Sequence, residues 1–144
     1  MKAFELKTEY LVNPLGLANR SPRLFWKCGD GVKQTAYELE YTVNDKPFPS
    51  VTVKTSSTTH ISFPQTLASR DRVLWRVRLR DENGVWGEYS DTASFEMPLL
   101  DPADFSAEWI SGDYCVNKRK RYPVDCFRKA FRTVDVKKAR LYIT

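Results

Sequence analysis

The chain has 144 residues and a mass of 16.7 kDa, with 42% hydrophobic and 13% aromatic residues. That is the length of one ordinary domain, or of one domain with part of another, and it is too apolar for intrinsic disorder. Six glycines and eight prolines exclude a collagen-like or low-complexity chain. No apolar run approaches the ~20 residues of a membrane span. The net charge of +5 is unevenly placed: residues 1–111 hold 13 basic and 15 acidic side chains, and residues 112–144 hold 10 and 3. The body of the chain therefore has no basic footprint for nucleic acid, and none is expected as a partner.

In chain order, apolar and polar residues alternate at a period of two. Phe4, Leu6, Thr8 and Tyr10 point one way and Glu5, Lys7 and Glu9 the other. Leu24-Phe25-Trp26-Lys27 reads as a short strand, broken by Gly29-Asp30-Gly31. Tyr37, Leu39, Tyr41 and Val43 alternate with Glu38, Glu40 and Thr42, the pattern of a strand with one buried face. Asn44-Asp45-Lys46-Pro47 turns the chain, and short strands follow at Val51-Thr52-Val53 and His60-Ile61-Ser62-Phe63.

Val73, Trp75, Val77 and Leu79 alternate with Leu74, Arg76, Arg78 and Arg80. Asp81-Glu82-Asn83-Gly84 then forms a hairpin loop, with glycine placed for a positive φ. A return strand is expected over residues 85–90 and 93–97, with an interruption. Seven or so short strands separated by turns predict an all-β fold, an immunoglobulin-like or fibronectin type III β-sandwich. The absence of a paired-cysteine signature favours the fibronectin type III variant.

The predicted domains are 1–97, a linker over 98–112 with one helical turn that Asp101 caps and Pro102 starts, and 113–144. The last segment carries a basic loop at Lys118-Arg119-Lys120-Arg121 and two more strands, at 127–133 and 139–144. Thirty or so residues are too few for a core of their own. The segment is therefore expected to be the first strands of a second, truncated β-sandwich. The first residues, Met1-Lys2-Ala3-Phe4-Glu5, carry no apolar signal region. A trimmed signal and export of the parent protein stay open.

Cys28, Cys115 and Cys126 are too few and too scattered for a disulfide framework. One Cys115–Cys126 bridge stays open. A single histidine, His60, and no CxxC leave no zinc site; no metal and no cofactor is expected.

Taken in order, several segments resemble the N-terminal region of bacterial alpha-L-rhamnosidases. They are Glu9-Tyr10-Leu11-Val12-Asn13-Pro14-Leu15-Gly16-Leu17, Ser21-Pro22-Arg23-Leu24-Phe25-Trp26 and Gln34-Thr35-Ala36-Tyr37-Glu38-Leu39. Trp75-Arg76-Val77-Arg78-Leu79-Arg80-Asp81-Glu82-Asn83-Gly84 resembles the family's long hairpin. Phe95-Glu96-Met97, Leu99-Leu100 and Ala107-Glu108-Trp109-Ile110 close the series for the first domain, and residues 127–131 and 139–144 resemble the start of the next sandwich. Residues 44–50 stand where the family commonly has Trp-Asp-Ser-Gly, and the basic loop at 118–121 is not a family motif. The resemblance implies a large inverting glycoside hydrolase that releases terminal L-rhamnose with two carboxylic acids, on a helical barrel further along. It places no catalytic residue in this chain. The partners it implies are later domains of the same polypeptide and, through the parent enzyme, a rhamnosylated glycoside.

The remaining candidates are few. Asp101 and Asp104 are a carboxylate pair near aromatic residues, most simply explained as a helix cap. Asp81 and Glu82 are turn formers, and His60 has no catalytic neighbour in sequence. Trp26 and Trp75 fall on inward positions and belong to the core. Trp86 lies near the outward row Arg76, Arg78 and Arg80, and this set resembles the Trp–Arg ladder of some fibronectin type III domains, in which guanidinium planes stack on indole faces. The competing expectation is that Trp86 and Trp109 are sugar-stacking platforms of a stand-alone carbohydrate-binding or adhesion module. Trp109 is otherwise expected to pack the linker against the sandwich.

Overall fold

Two antiparallel sheets face each other across one apolar layer. In the computed structural model, β1 (Lys2–Thr8), β2 (Arg23–Gly29) and β6 (Ile61–Ser62) form the smaller sheet, in the order β1-β2-β6. β3 (Ala36–Val43), β4 (Lys46–Pro47), β5 (Val51–Val53), β7 (Arg72–Arg80) and β8 (Ala93–Glu96) form the larger, in the order β4-β3-β7-β8 with β5 also on β3. The structure describes every residue except Gly31, Val32, Val116, Lys118, Lys138 and Thr144. Expectations that fall on Gly31, Lys118 and Thr144 thus lie outside the described residues. Two compact units divide the chain, Met1–Ser106 and Ala107–Thr144.

The core follows from the alternation. Tyr37, Leu39, Tyr41 and Val43 of β3 and Val73, Trp75, Val77 and Leu79 of β7 all point inward and are buried. Leu24 and Trp26 meet them from β2, and Phe95 from β8. Aromatic edges lock the layer: Trp26 on Tyr37 at 5.1 Å, Tyr41 on Phe63 at 4.9 Å and Phe63 on Phe95 at 5.5 Å. Each such side chain contributes ~1.5–3 kcal/mol by leaving water.

One buried polar side chain ties the layer to the loops. Gln34 accepts the indole N–H of Trp26 at 3.0 Å and donates to the carbonyls of Thr55 and Ser57 at 3.1 and 2.9 Å. It satisfies at once a buried donor and two loop acceptors, which otherwise carry a desolvation cost.

The first strand departs from its expected parity. Its buried residues are Ala3 and Thr8, while Phe4 is 44% exposed. The register against β2 shifts between Phe4 and Lys7, and Glu5 there has φ +49°. A bulge adds one residue to a strand and exchanges its faces beyond that point, so no single alternation describes β1. Tyr10 lies beyond the strand, exposed, with φ +66°. The return strand is shorter than expected: residues 85–90 follow β7 through Gly87 N to Leu79 O and Ser90 N to Val77 O without becoming a regular strand. Gly84 has φ +81°, as the hairpin loop requires.

The first unit continues past Met97. A 3-10 turn, Pro102–Asp104, sits in the expected linker. Asp101 stands at its N-cap, in a capping box with Asp104, and its carboxylate also accepts from Arg20 at 2.9 Å.

In the second unit, residues 127–133 and 139–143 run without strand pairing. Trp109, Val124, Phe131, Leu141 and Ile143 are each more than three-quarters exposed. Apolar side chains with no facing layer have nothing to order them into a sheet. Trp109 is 88% exposed. Cys115 and Cys126 are exposed and free, as is Cys28, so the bridge left open by the sequence is absent.

Candidate functional site

The outer face of the larger sheet gathers most of the candidate residues. Pleating sends Glu38, Glu40 and Thr42 of β3 outward, beside Leu74, Arg76, Arg78 and Arg80 of β7. The register sets Glu38 opposite Arg78 and Glu40 opposite Arg76. Opposite charges in directly facing positions pair across the strands. Arg78 Nη2 meets Glu38 Oε2 at 2.6 Å, and Arg76 Nη2 meets Glu40 Oε2 at 2.7 Å.

A second layer of rings covers these pairs. Arg78 lies over Trp86 at 5.2 Å and over Tyr89 at 5.0 Å, and Arg76 lies over Tyr89 at 4.4 Å. Of the sequence-predicted set, Arg76, Arg78 and Trp86 thus come together. Arg80 pairs with Trp86 through an isolated antiparallel bridge, and its Nε donates to Gly84 O at 2.8 Å, bracing the hairpin loop. Tyr89 is the member that sequence reasoning missed. Its hydroxyl donates to Glu38 Oε1 at 2.9 Å. The available signal was its spacing, three residues after Trp86 in the segment that follows β7.

The electrostatics of the face are closed. Burial pushes the Glu38 and Glu40 carboxyls up, but hydrogen bonds from their arginines and from Tyr89 outweigh it and hold both below the usual carboxylate range. Burial, then the two carboxylates, pushes the Tyr89 phenol well above its ordinary value. Such a phenol has no proton to give near neutrality, and each carboxylate is committed to a guanidinium. The arrangement can hold strands in register; it presents neither a free general base nor a nucleophile.

The other candidates are dispersed. A shallow depression of about 500 Å³ beside the Glu40–Arg76 pair is lined by Thr42, Phe48, Leu74 and Thr92 among others. A second, of about 350 Å³, lies between β1 and residues 91–93, lined by Ala3, Phe4, Leu6 and Val12 with Glu5 and Asp91. Asp101 and Asp104 line neither. His60 is exposed, with φ +56°, and its Nε2 lies 2.9 Å from the Tyr10 hydroxyl. Trp86 belongs to the first unit and Trp109 to the second. Arg119, Lys120 and Arg121 are exposed. Among the described residues, no group of three or more His, Cys, Asp or Glu side chains is placed to hold a metal ion. No helix among them is long and apolar enough to cross a membrane.

Known proteins resemble this chain over the same sandwich. It is 34% identical over 114 residues to an alpha-L-rhamnosidase of Alteromonas sp. (strain LOR), covering 71% of this chain and 12% of that protein. It is 29% identical over 160 residues to an alpha-L-rhamnosidase of Formosa agariphila, covering 95% of this chain and 17% of that protein. The solved alpha-L-rhamnosidase of Streptomyces avermitilis superposes with a TM-score of 0.68 at 27% identity, over 76% of this chain and 12% of that one. The chain thus spans only 12 to 17% of the length of these curated relatives. The family described as Rha78A-like, N-terminal immunoglobulin domain matches residues 4–101. The two facing antiparallel sheets, the fold and the match over two-thirds of the chain agree, and this protein belongs to the Rha78A-like N-terminal immunoglobulin domain family.

Proposed function

We propose that the chain is the non-catalytic N-terminal part of an alpha-L-rhamnosidase-like glycoside hydrolase, and that its sandwich is a docking module for later domains of the same polypeptide. The parent enzyme releases terminal L-rhamnose with inversion, using carboxylic acids outside this chain. Residues 113–144 are the opening strands of a second β-sandwich, which completes itself with strands supplied further along. The exposed Phe131, Leu141 and Ile143 support that reading, since each has strand-like neighbours in sequence and no layer to face. The row Arg76, Arg78 and Trp86, with Tyr89, is structural.

One observation carries the docking role. Val12 and Leu15 are 67% and 61% exposed, on a segment that the structure holds firmly, and Phe4 of β1, 44% exposed, lines one depression with Val12. Asn13 Oδ1 accepts from Ser94 N at 2.8 Å, Glu96 N donates to Pro14 O at 3.0 Å, and Gly16 N donates to Glu96 O at 2.9 Å. An ordered apolar surface suits a permanent partner, whereas the charged face of the larger sheet is already satisfied internally.

The test uses the parent enzyme and the isolated chain together. Val12→Asp with Leu15→Asp lowers the melting temperature of the parent while leaving that of the 144-residue chain within about a degree. The isolated chain does not hydrolyse an aryl alpha-L-rhamnoside. A parent unaffected by the double substitution overturns the docking role. Saturable binding of L-rhamnose by the isolated chain, lost in Trp86→Ala with the fold intact, replaces it with the carbohydrate-binding reading.

A further inference from the structure

The chain leaves the first unit through a dense set of side-chain bonds that its exposure does not explain. None of the residues of the Pro102–Asp104 turn is buried, so little apolar burial anchors it. Instead, the loop before β7 reaches up to it. Ser69 Oγ accepts from Leu100 N at 2.8 Å and donates to Asp104 Oδ2, making the serine a relay between backbone and carboxylate. Asp101 N donates to the same carboxylate at 3.4 Å. Arg20 Nη2 donates to Asp101 Oδ2 at 2.9 Å, while its Nη1 holds Leu67 O at 3.3 Å. Arg70 donates its Nη2 to Asp104 O and its N to Pro98 O, at 3.3 and 3.1 Å.

That loop is itself pinned to the sheet. Asp71 accepts from Ala68 N and from Asn44 Nδ2, each at 2.7 Å, and its carbonyl accepts from Met97 N at 2.8 Å. Bonds therefore run without a gap from the turn after β3, through the loop at 67–71, to the departing chain at 98–105.

We propose that Arg20, Ser69, Arg70, Asp101 and Asp104 form a carboxylate clasp that fixes the point and direction at which the chain leaves the sandwich. The clasp is separable from the core, because its members are surface side chains and the core lies between the sheets. It is also acid-sensitive. The groups that face Asp104 are Ser69, Arg70, Arg20 and Asp101, and those that face Asp101 are Arg20 and Asp104. The Asp104 carboxylate is the acceptor of charge-assisted bonds, which weaken when the acceptor is protonated. The hydrogen bond from Ser69 holds Asp104 below the usual carboxylate range. The clasp is thus whole above that range and opens as pH falls through the lowered value. The inference concerns the exit from the first unit and stands whether or not the docking role holds.

Hydrogen exchange on the 144-residue chain tests it, read at the amides of Leu100, Asp101, Asp104 and Phe105. Asp104→Asn and, separately, Ser69→Ala are each expected to speed exchange there by about fivefold or more, the factor that losing one ordinary hydrogen bond brings. Exchange in β3 and β7 stays as in the parent chain. Acidification to below the usual carboxylate range reproduces the effect in the unsubstituted chain, after correction for the intrinsic rate, and adds little in Asp104→Asn. Unchanged exchange at these amides in both variants overturns the clasp. A rise in β3 and β7 equal to that at 100–105 overturns its separability. Should Asp104→Asn fail to fold, Ser69→Ala decides the matter by the same two readings.

Discussion

Arg78 and Glu38 stand directly opposite in the β3–β7 register and meet at 2.6 Å, with the ring of Trp86 over the guanidinium. The pair is only partly screened, as the Glu38 side chain is 13% exposed. Arg78→Ala therefore removes an ion pair, two ring contacts and the charge that balances Glu38. A loss of ~1–2 kcal/mol is expected, above the usual value for a surface pair. A double-mutant cycle with Glu38→Gln in urea isolates the pairwise part. Additive effects of the two substitutions count against a coupled layer.

Gln34 predicts a larger effect. Gln34→Leu keeps the volume approximately and leaves the Trp26 indole N–H and the carbonyls of Thr55 and Ser57 without their partner. A loss of ~2–4 kcal/mol is expected from the unsatisfied groups. Chemical denaturation followed by tryptophan fluorescence measures it. A loss under ~1 kcal/mol means that those groups find other partners.

Glu9 and Arg23 predict a pH dependence. Arg23 grips both carboxylate oxygens, at 2.6 Å from Nη2 and 3.2 and 3.1 Å from Nε, and its backbone N–H donates at 2.8 Å. The side-chain bonds from Arg23 outweigh burial and pull the Glu9 carboxyl down to about 2. A carboxyl lowered on folding stabilises the fold above its unfolded value, and that contribution is lost as pH falls through the folded one. Arg23 is 42% exposed, so solvent reduces the gain to ~1 kcal/mol. The stability difference between the native chain and Glu9→Gln should be full above pH ~5 and shrink steadily towards pH 2. A difference independent of pH assigns the role of Glu9 to packing.

Gly84→Ala tests the hairpin loop. At φ +81°, an added Cβ would lie 2.8 Å from Arg80 Nη2, the far end of a side chain that can yield. The backbone conformation cannot yield so cheaply, and a loss of ~1–2 kcal/mol is expected. Because Arg80 donates to Gly84 O, thermal unfolding of Arg80→Ala and of the double variant shows whether the two effects share one cause.

How much of this was legible in the sequence depended on regularity. β3 and β7 have one buried face each and no bulge, so their alternation gave both the strands and the outward Glu and Arg rows. β1 contains a bulge, and a period-two reading fails on one side of it. Gln34 and Tyr89 sit in irregular segments, where a single polar residue leaves no periodic trace. Asp101 was legible as a helix cap, but its second partner, Arg20, eighty-one residues away in sequence, was not. Local chemistry shows the near partner, and tertiary proximity adds the distant one.

The central pairing also sets the pace at which the fold assembles. Glu40 and Arg76 are 36 residues apart in sequence, and Glu38 and Arg78 are 40 apart. β3 therefore waits for a long stretch of chain, including β4, β5 and β6, before it gains the neighbour that buries it. Topologies dominated by such distant pairings fold in milliseconds to seconds rather than microseconds. Opposed charges at matching positions reject a slip by one residue, because every arginine would then face inward. The Glu–Arg layer thus specifies the register of the central pair as well as holding it together.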